Sequence, residues 1–287
     1  MKNIIAIVFD YDDTLAPDTI SRFLESHEVD VIQFWRKTVD PLIADGWDPV
    51  PAMMYSLIKV SRTLPDTQQF TKTAFLDFGK TISFFPGVTA VFNTLREQTA
   101  DIAKKFHSDI ELEYYIISSG IDDLITSSRI AKYFTDIWAN SFFYDIKNGK
   151  ITFPKRIISF TDKTRYLFYI KKGLIKPGII GKPFEVNRKF APDEIRVPFQ
   201  RMIFVGDGLT DVPCFALLQK FGGTAIAVYD QNHRENWGRA WGFTQSDRVT
   251  NIAPADFRKN SALHDSLIMA IERICTDIAL VKRTYIG

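Results

Sequence analysis

The sequence predicts an α/β fold, a parallel sheet layered between helices with a small helical module inserted after its first strand. Three observations predict it. Short apolar runs rich in β-branched residues recur at 4–9, 112–117, 202–205 and 225–228, with the length and composition of strands buried on both faces. Long stretches between them carry apolar residues at helical spacing instead. The first three runs empty into carboxylates, hydroxyls and glycines, and the C-terminal ends of parallel strands are where open α/β sheets build their sites.

The first run, Ile4-Ile5-Ala6-Ile7-Val8-Phe9, leads into Asp10-Tyr11-Asp12-Asp13-Thr14-Leu15. An extended chain puts Asp10 and Asp12 on the same side, where one can serve as nucleophile and the other as acid and base. A carboxylate attacks a dianionic phosphate poorly unless a cation stands between them, so this chemistry requires a divalent metal. Mg²⁺ suits it, because it takes oxygen ligands and keeps several waters. Ala16-Pro17-Asp18 then breaks the pattern, with Asp18 or Thr19 as a helix cap. Beyond it, Ile20, Phe23 and Leu24, then Val31, Phe34 and Trp35, then Met53, Met54, Leu57 and Ile58, then Phe70, Ala74, Phe75 and Phe78 recur at helical spacing. Residues 16–82 are therefore expected to form a strand-free helical module placed to act as a cap.

Phe85-Pro86-Gly87 ends that module, and Val88, Val91, Phe92 and Leu95 begin an amphipathic helix reaching Phe106. The run at 112–117 ends in Ser118-Ser119-Gly120, where a hydroxyl and small residues let side chain and backbone N–H groups approach a phosphate; the same residues also suit an ordinary helix N-cap. A helix over 122–134, a short strand over 136–139, and a hairpin over 142–153 turning at Asn148-Gly149 follow. Lys163-Thr164 opens the next helix, although a lysine at a helix start opposes the helix dipole. On its own Lys163 reads as a solvated surface lysine, with Lys155, Lys171 and Lys172 as neighbouring alternatives. Residues 173–200 are basic, punctuated by Pro177, Gly178, Gly181, Pro183, Pro192 and Pro198, and long for a connection; a lid, an oligomer contact or a decoration all suit them. The run at 202–205 delivers Gly206-Asp207-Gly208-Leu209-Thr210-Asp211, whose glycines permit a tight turn and whose two aspartates can both face a site. A further strand over 248–252 and a terminal helix over 262–281 complete the pattern, the apolar stripe of that helix from Leu263 to Ile278 serving core packing.

Asp10-x-Asp12-x-Thr14-Leu15 after a hydrophobic strand, Ser118 after a second, Lys163 opening a helix, and Gly206-Asp207-x-x-x-Asp211 occur in the order of the four motifs of the haloacid dehalogenase-like (HAD) superfamily, which the chain resembles over 1–15 and 83–287. The helical insertion and the hairpin after Trp138-Ala139-Asn140 are most similar to the phosphoserine phosphatase-like branch. The resemblance implies a Rossmann-like three-layer core formed by 1–15 and 83–287, with 16–82 as the cap. It implies a Mg²⁺-dependent phosphatase acting on a small phosphorylated metabolite. Asp10 would attack the phosphorus to give an aspartyl-phosphate, while Asp12 protonates the leaving oxygen and then takes a proton from the hydrolytic water. Ser118, the backbone around Ser119 and Gly120, and Lys163 would hold the phosphoryl oxygens; Asp10, the Asp12 carbonyl and Asp207 would hold the metal. Thr14, Gly208 and Asp211 would support them, Asp211 by orienting Lys163 or a metal-bound water. Four converging aspartates raise one another's pKa unless cations offset them, and Mg²⁺ and Lys163 supply that offset. An acid at position 12 favours phosphoryl transfer over dehalogenation. A phosphotransferase or mutase using the same aspartate, and a phosphate-ligand-binding protein with little turnover, are the alternative classes.

Composition bounds the partners. At 287 residues and 46% apolar content the chain can bury a sizeable core, and a formal net charge of +2 leaves no strong field for nucleic acid or membrane. The N-terminal apolar run is too short for a signal peptide's core and no apolar stretch approaches a membrane span of ~20 residues, so a cytoplasmic protein is expected. Cys214 and Cys275 read as buried free thiols, and His27, His107, His233 and His264 make no ligand pattern. Phosphoserine phosphatases use a glutamate shortly after the first motif, whereas Ala16-Pro17-Asp18-Thr19-Ile20 has none, leaving only Asp18 as a substitute and phosphoserine in doubt as substrate. Arg22, Arg36, Lys59 and Arg62 suit solvated helix faces better than specificity, and Trp35, Trp47, Met53 and Tyr55 suit cap packing better than a pocket. Oligomeric state is left open.

Overall fold

The structure, a computed structural model, describes residues 3–232 and 249–284. The chain starts with β1 (Asn3–Phe9), then α1 (Thr19–Ser26), a broken helical run over 31–44, α2 (Pro49–Thr63) and α3 (Lys72–Thr81). Next come α4 (Val88–Lys105), β2 (Ile110–Ile121), α5 (Asp122–Thr126), β3 (Asp136–Tyr144), β4 (Ile151–Arg156) and α6 (Asp162–Lys172). The last third holds β5 (Met202–Gly206), α7 (Val212–Lys220), β6 (Thr224–Tyr229), β7 (Asn251–Pro254) and α8 (Ala262–Thr284).

Seven strands form one sheet in the order β4-β3-β2-β1-β5-β6-β7, every pair parallel except the β3–β4 hairpin. Because alternate residues of a strand face opposite ways, Ile5, Ile7 and Phe9 enter one core with Phe92 of α4 and Leu267 of α8. Ala6 and Val8 enter the other with Leu167 of α6 and Phe215 of α7. The expected three-layer α/β core is thus observed. Successive strands proceed outward from β1 through β2 to β3, then resume on its other side at β5. That reversal opens a crevice at the strands' C-terminal ends.

Residues 16–82 contain no strand, and their buried side chains, among them Phe23, Met54, Leu57 and Phe75, join the core on the α4 side of the sheet. Phe34–Val39 relaxes into a π-helical turn just before Pro41, which has no N–H to donate to the helix ladder. The hairpin's turn is longer than the expected Asn148-Gly149 pair: it spans Asp145 to Gly149, closed by Gly149 N–H to Asp145 O (2.9 Å) and Asp145 N–H to Lys150 O (2.8 Å), with Gly149 at φ +70°. It is stitched to the insertion by Lys72 N–H to Gly149 O (2.9 Å), Ile151 N–H to Phe70 O (3.0 Å) and a Lys150–Asp66 ion pair (2.5 Å).

Several expected boundaries move. β2 does not stop at 117: it continues through Ser118, Ser119 and Gly120 to Ile121, and its register with β3 shifts between Ile117 and Ile121. β3 likewise continues past 139 into the hairpin. The helix expected over 122–134 ends at Thr126, because the hydroxyls of Ser127 and Ser128 bond back to the carbonyls of Asp123 and Ile125 (2.7 Å each). The strand expected over 248–252 is displaced toward the C-terminus, as β7 starts only at Asn251; Arg248 and His233 lie outside the described residues.

Residues 173–200 hold only short 3₁₀ turns and pack near the N-terminal ends of the strands, away from the crevice. Arg196 forks onto Glu113 of β2 and bonds the Tyr115 hydroxyl (2.8 Å), while Lys176 N–H bonds Asp136 at the start of β3 (2.8 Å). This segment therefore does not cover the C-terminal crevice as a lid. Cys214 and Cys275 are buried free thiols, Met53 is buried, and Trp47 and Tyr55 lie partly exposed against each other. No helix among the described residues is long and apolar enough to cross a membrane.

Candidate active site

The site assembles where β1, β2 and β5 end. Asp10 still pairs with β5 through its N–H to Val205 O (2.9 Å), so its position is set by the sheet. The chain then turns sharply: Leu15 and Ala16 donate to Tyr11 O (2.8 and 3.1 Å), and Asp13 adopts φ +54°, which aspartate tolerates better than most residues.

Asp10 uses both carboxylate oxygens. Oδ1 accepts from Tyr11 N–H (2.7 Å) and Oδ2 from Lys163 Nζ (2.7 Å). Lys163 also donates to Asp211 Oδ1 (2.7 Å) and Thr210 Oγ1 (3.2 Å), and Asp211 Oδ2 accepts from Gly208 N–H (3.3 Å). Lys163 is not solvated: the second residue of α6 is turned inward, fully buried between carboxylates from the ends of β1 and β5. That ion pairing is why a lysine is tolerated at a helix start. A side chain at Gly206 would place its Cβ 2.2 Å from Asp211 Oδ2, so only glycine fits this turn.

On the other flank, Asp12 Oδ1 accepts from both Thr19 N–H (2.8 Å) and Thr19 Oγ1 (2.6 Å) at the start of α1. Its Oδ2 faces Gly120, whose Cβ, were it present, would lie 2.3 Å away. Ser118 is fully buried and its Oγ accepts from Gly120 N–H (2.9 Å). Ser119 turns away, its Oγ donating to Ile158 O (3.0 Å). The Thr14 hydroxyl is buried and has no protein partner among the described residues.

Carboxylate oxygens of Asp10, Asp207 and Asp211 lie within 4.8 Å of one another. The carboxylate of Asp12 stands outside this trio, turned to Thr19. Burial, then the charges of Asp211, Asp10 and Asp13, push Asp207 well above the usual carboxylate range. Burial, and next the neighbouring Asp18, push Asp12 up to about 8 against the hydrogen bonds from Thr19. Burial alone would lower Lys163, but the charges of Asp10 and Asp211 outweigh it and raise its pKa. One lysine cannot neutralise so many converging aspartates, and hard carboxylate oxygens at this spacing fit a small divalent cation such as Mg²⁺. A cavity of about 950 Å³ opens beside the site, bounded by Asp13, Thr19 and Arg22 on one side and Phe84 and Phe85 on the other.

No family model matches the chain. An uncharacterized protein of Borreliella burgdorferi is 26% identical over 300 residues, covering 96% of this chain and 99% of the relative. Among solved structures, a HAD family hydrolase from Salmonella enterica serovar Typhi superposes with a TM-score of 0.55 at 14% identity, over 88% of this chain and 67% of that one. A substrate-bound phosphoserine phosphatase gives 0.51 at 15% identity, over 93% and 98%. A probable phosphoserine phosphatase from Vibrio cholerae gives 0.54 at 11% identity, over 96% and 67%. The chain has the HAD-like fold.

Within that HAD-like fold, three polar residues hold the site together to which the sequence pattern assigns no part in it, Thr19 reading there only as a helix cap, a place that Asp18 takes. Thr19 clamps Asp12, and Thr210 adds an oxygen beside Lys163. Asn140, fully buried within β3, donates to Ser119 O and accepts from Ile158 N–H (2.6 Å), tying the Ser118–Gly120 stretch to the arm that leads into Lys163. A buried polar residue at a strand's C-terminal side was the available signal. Of the cap residues considered for specificity, Arg22 borders the cavity; Trp35 instead donates its Nε1–H to Ser21 (3.0 Å).

Proposed function

We propose that this protein is a Mg²⁺-dependent phosphatase that hydrolyses a small phosphomonoester through an aspartyl-phosphate on Asp10. The observation that carries the proposal is Lys163 Nζ bridging Asp10 and Asp211 at 2.7 Å each, beside an acid, Asp12, held by Thr19. The likeness in fold to phosphoserine phosphatases supports the same reading.

Asp10 attacks the phosphorus in line, the P–O ester bond breaks, and the leaving oxygen takes the proton carried by Asp12. Water then attacks the phosphorus of the acyl phosphate, Asp12 takes up its proton, and Asp10 is released with inorganic phosphate. Ser118 Oγ, the backbone N–H groups of Ser119 and Gly120, and Lys163 would bind the phosphoryl oxygens, with Gly120 N–H exchanging its bond to Ser118 Oγ, and Lys163 one of its present bonds, for the incoming phosphate. Asp10, the Asp12 carbonyl and Asp207 would hold Mg²⁺, with Asp211 completing the acidic trio. The bound ion supplies charge neutralisation between a carboxylate nucleophile and an anionic phosphate.

Residues 16–82 are read as the cap and the adjoining cavity of about 950 Å³ as room for a metabolite-sized substrate. The test is phosphate release from a panel of phosphomonoesters, phosphoserine included, with Mg²⁺ or with EDTA, in wild type and Asp10→Asn. Metal-dependent release lost in the variant supports the proposal; release that survives Asp10→Asn overturns it.

A further inference from the structure

The outer face of α6, opposite the one that carries Lys163, meets the 173–200 segment around a cavity of about 520 Å³. No carboxylate lines it. Its cations are Arg165, Lys171 and Lys172 from α6 and Lys189 from the segment, over an apolar floor that includes Phe168, Val186 and Ile195.

These charges are balanced in an unusual way. Of the segment's acids, Glu185 and Glu194 are both engaged by Arg188 and Asp193 lines the adjoining cavity instead, while Asp162 sits 3.8 Å from Arg165. The lysines are held by rings and carbonyls instead: Lys171 lies 4.6 Å from the centre of the Phe199 ring, and Lys172 lies 4.8 Å from that of Phe190 while donating to Val186 O and Arg188 O (2.6 Å each). Among the described residues, neither Lys171, Lys172 nor Lys189 has a carboxylate within ion-pair distance. Ring faces and carbonyls orient an ammonium group without cancelling its charge as a carboxylate does. The end of α6 accounts for Lys171 and Lys172, since cations suit a helix C-terminus, but it does not account for Lys189 closing the same cavity from the other side.

We propose that this cavity binds an organic polyphosphate, its phosphates among Lys171, Lys172 and Lys189 and its apolar part on the Val186–Ile195 floor. The volume falls within the usual range for small-molecule sites and exceeds what a bare phosphate fills. It also adjoins a second cavity of about 650 Å³ that shares Lys171, Phe190 and Ile195 and adds Asp193, Arg201 and Arg196, the last paired with Glu113. Lys172 lies nine residues beyond Lys163, about 13 Å along the helix, so this is a separate site from the catalytic one.

Calorimetric titration of the full chain with ADP in EDTA tests it, with pyrophosphate and adenosine as separate arms. Lys172 is left intact because it supports the segment's backbone; the test variant is Lys171→Ala with Lys189→Ala, which leaves the catalytic residues untouched. The expected result is saturable ADP binding, weakened at least ~10-fold in the double variant and unchanged in Ser118→Ala, with pyrophosphate weaker and adenosine weaker still. Equal affinity for ADP in wild type and the double variant, loss of binding in Ser118→Ala, or no binding at all overturns the proposal. Unchanged phosphatase activity and melting temperature in the double variant show that the loss is not a folding defect.

Discussion

Replacing Lys163 by methionine keeps much of the side chain's volume and removes the cation that bridges Asp10 and Asp211. Both hydrogen bonds are 2.7 Å, and the Lys163 and Asp211 side chains are entirely inaccessible, so solvent cannot replace what is lost. Breaking a buried pair by removing one partner costs about 3–5 kcal/mol, because the carboxylates left behind stay buried and unpaired. At roughly 2 °C per kcal/mol for a chain of this size, the melting temperature in EDTA should fall by about 6–10 °C. The folded pKa of Lys163 is raised above its unfolded value. Its stabilisation is therefore fully present below the ordinary lysine pKa of ~10.4 and is lost only as pH climbs through the folded value, which leaves neutral pH well inside the stable window. Without the lysine, Asp10, Asp207 and Asp211 face one another with no cation, so Mg²⁺ should raise the melting temperature of the variant more than that of wild type. Scanning fluorimetry at pH 7.5 with EDTA or Mg²⁺ reads both effects. A drop smaller than about 2 °C in EDTA, or an equal response of both proteins to Mg²⁺, would refute the electrostatic account of this site.

Thr19→Val removes the hydroxyl bonded to Asp12 at 2.6 Å and leaves the backbone bond; kcat should fall about 10-fold or more, with KM little changed, in a steady-state assay on the best substrate of the panel. Asn140→Ala empties a buried position and orphans Ser119 O and Ile158 N–H, so chemical denaturation should register a loss of about 2–3 kcal/mol, and competition assays should show inorganic phosphate inhibiting more weakly. Gly120→Ala forces a methyl toward Asp12 Oδ2, 2.3 Å away; turnover should collapse while the far-ultraviolet circular dichroism spectrum stays that of wild type.

Much of the core was legible in the sequence because buried parallel strands are short and apolar and end where polar residues gather. The stretches leading to Asp10 and Asp207 follow that rule and end just before them, whereas Ser118 lies inside β2, short of its end at Ile121. Lys163 was harder: a lysine at a helix start looks solvated until the sheet brings Asp10 and Asp211 to it, and those contacts span 153 and 48 residues of sequence. The same non-locality hides Asn140, whose partners are Ser119 of β2 and Ile158 in the connection after β4. The early end of α5 was lost for a local reason: an apolar pattern continues past Thr126, but serine hydroxyls compete for the helix carbonyls there. Residues 173–200 carry no periodicity, and their position follows from Arg196 reaching Glu113 and Tyr115, a contact no local pattern encodes.

The central claim is that the phosphoryl group passes through Asp10. Acid quenching during turnover of a good substrate, followed by peptide mass spectrometry, tests it most directly, because an acyl phosphate survives at low pH. The account predicts a phosphoryl adduct on the peptide containing Asp10, present in wild type and absent in Asp10→Asn. Steady turnover with no adduct on that peptide, or with the adduct on another residue, would contradict it.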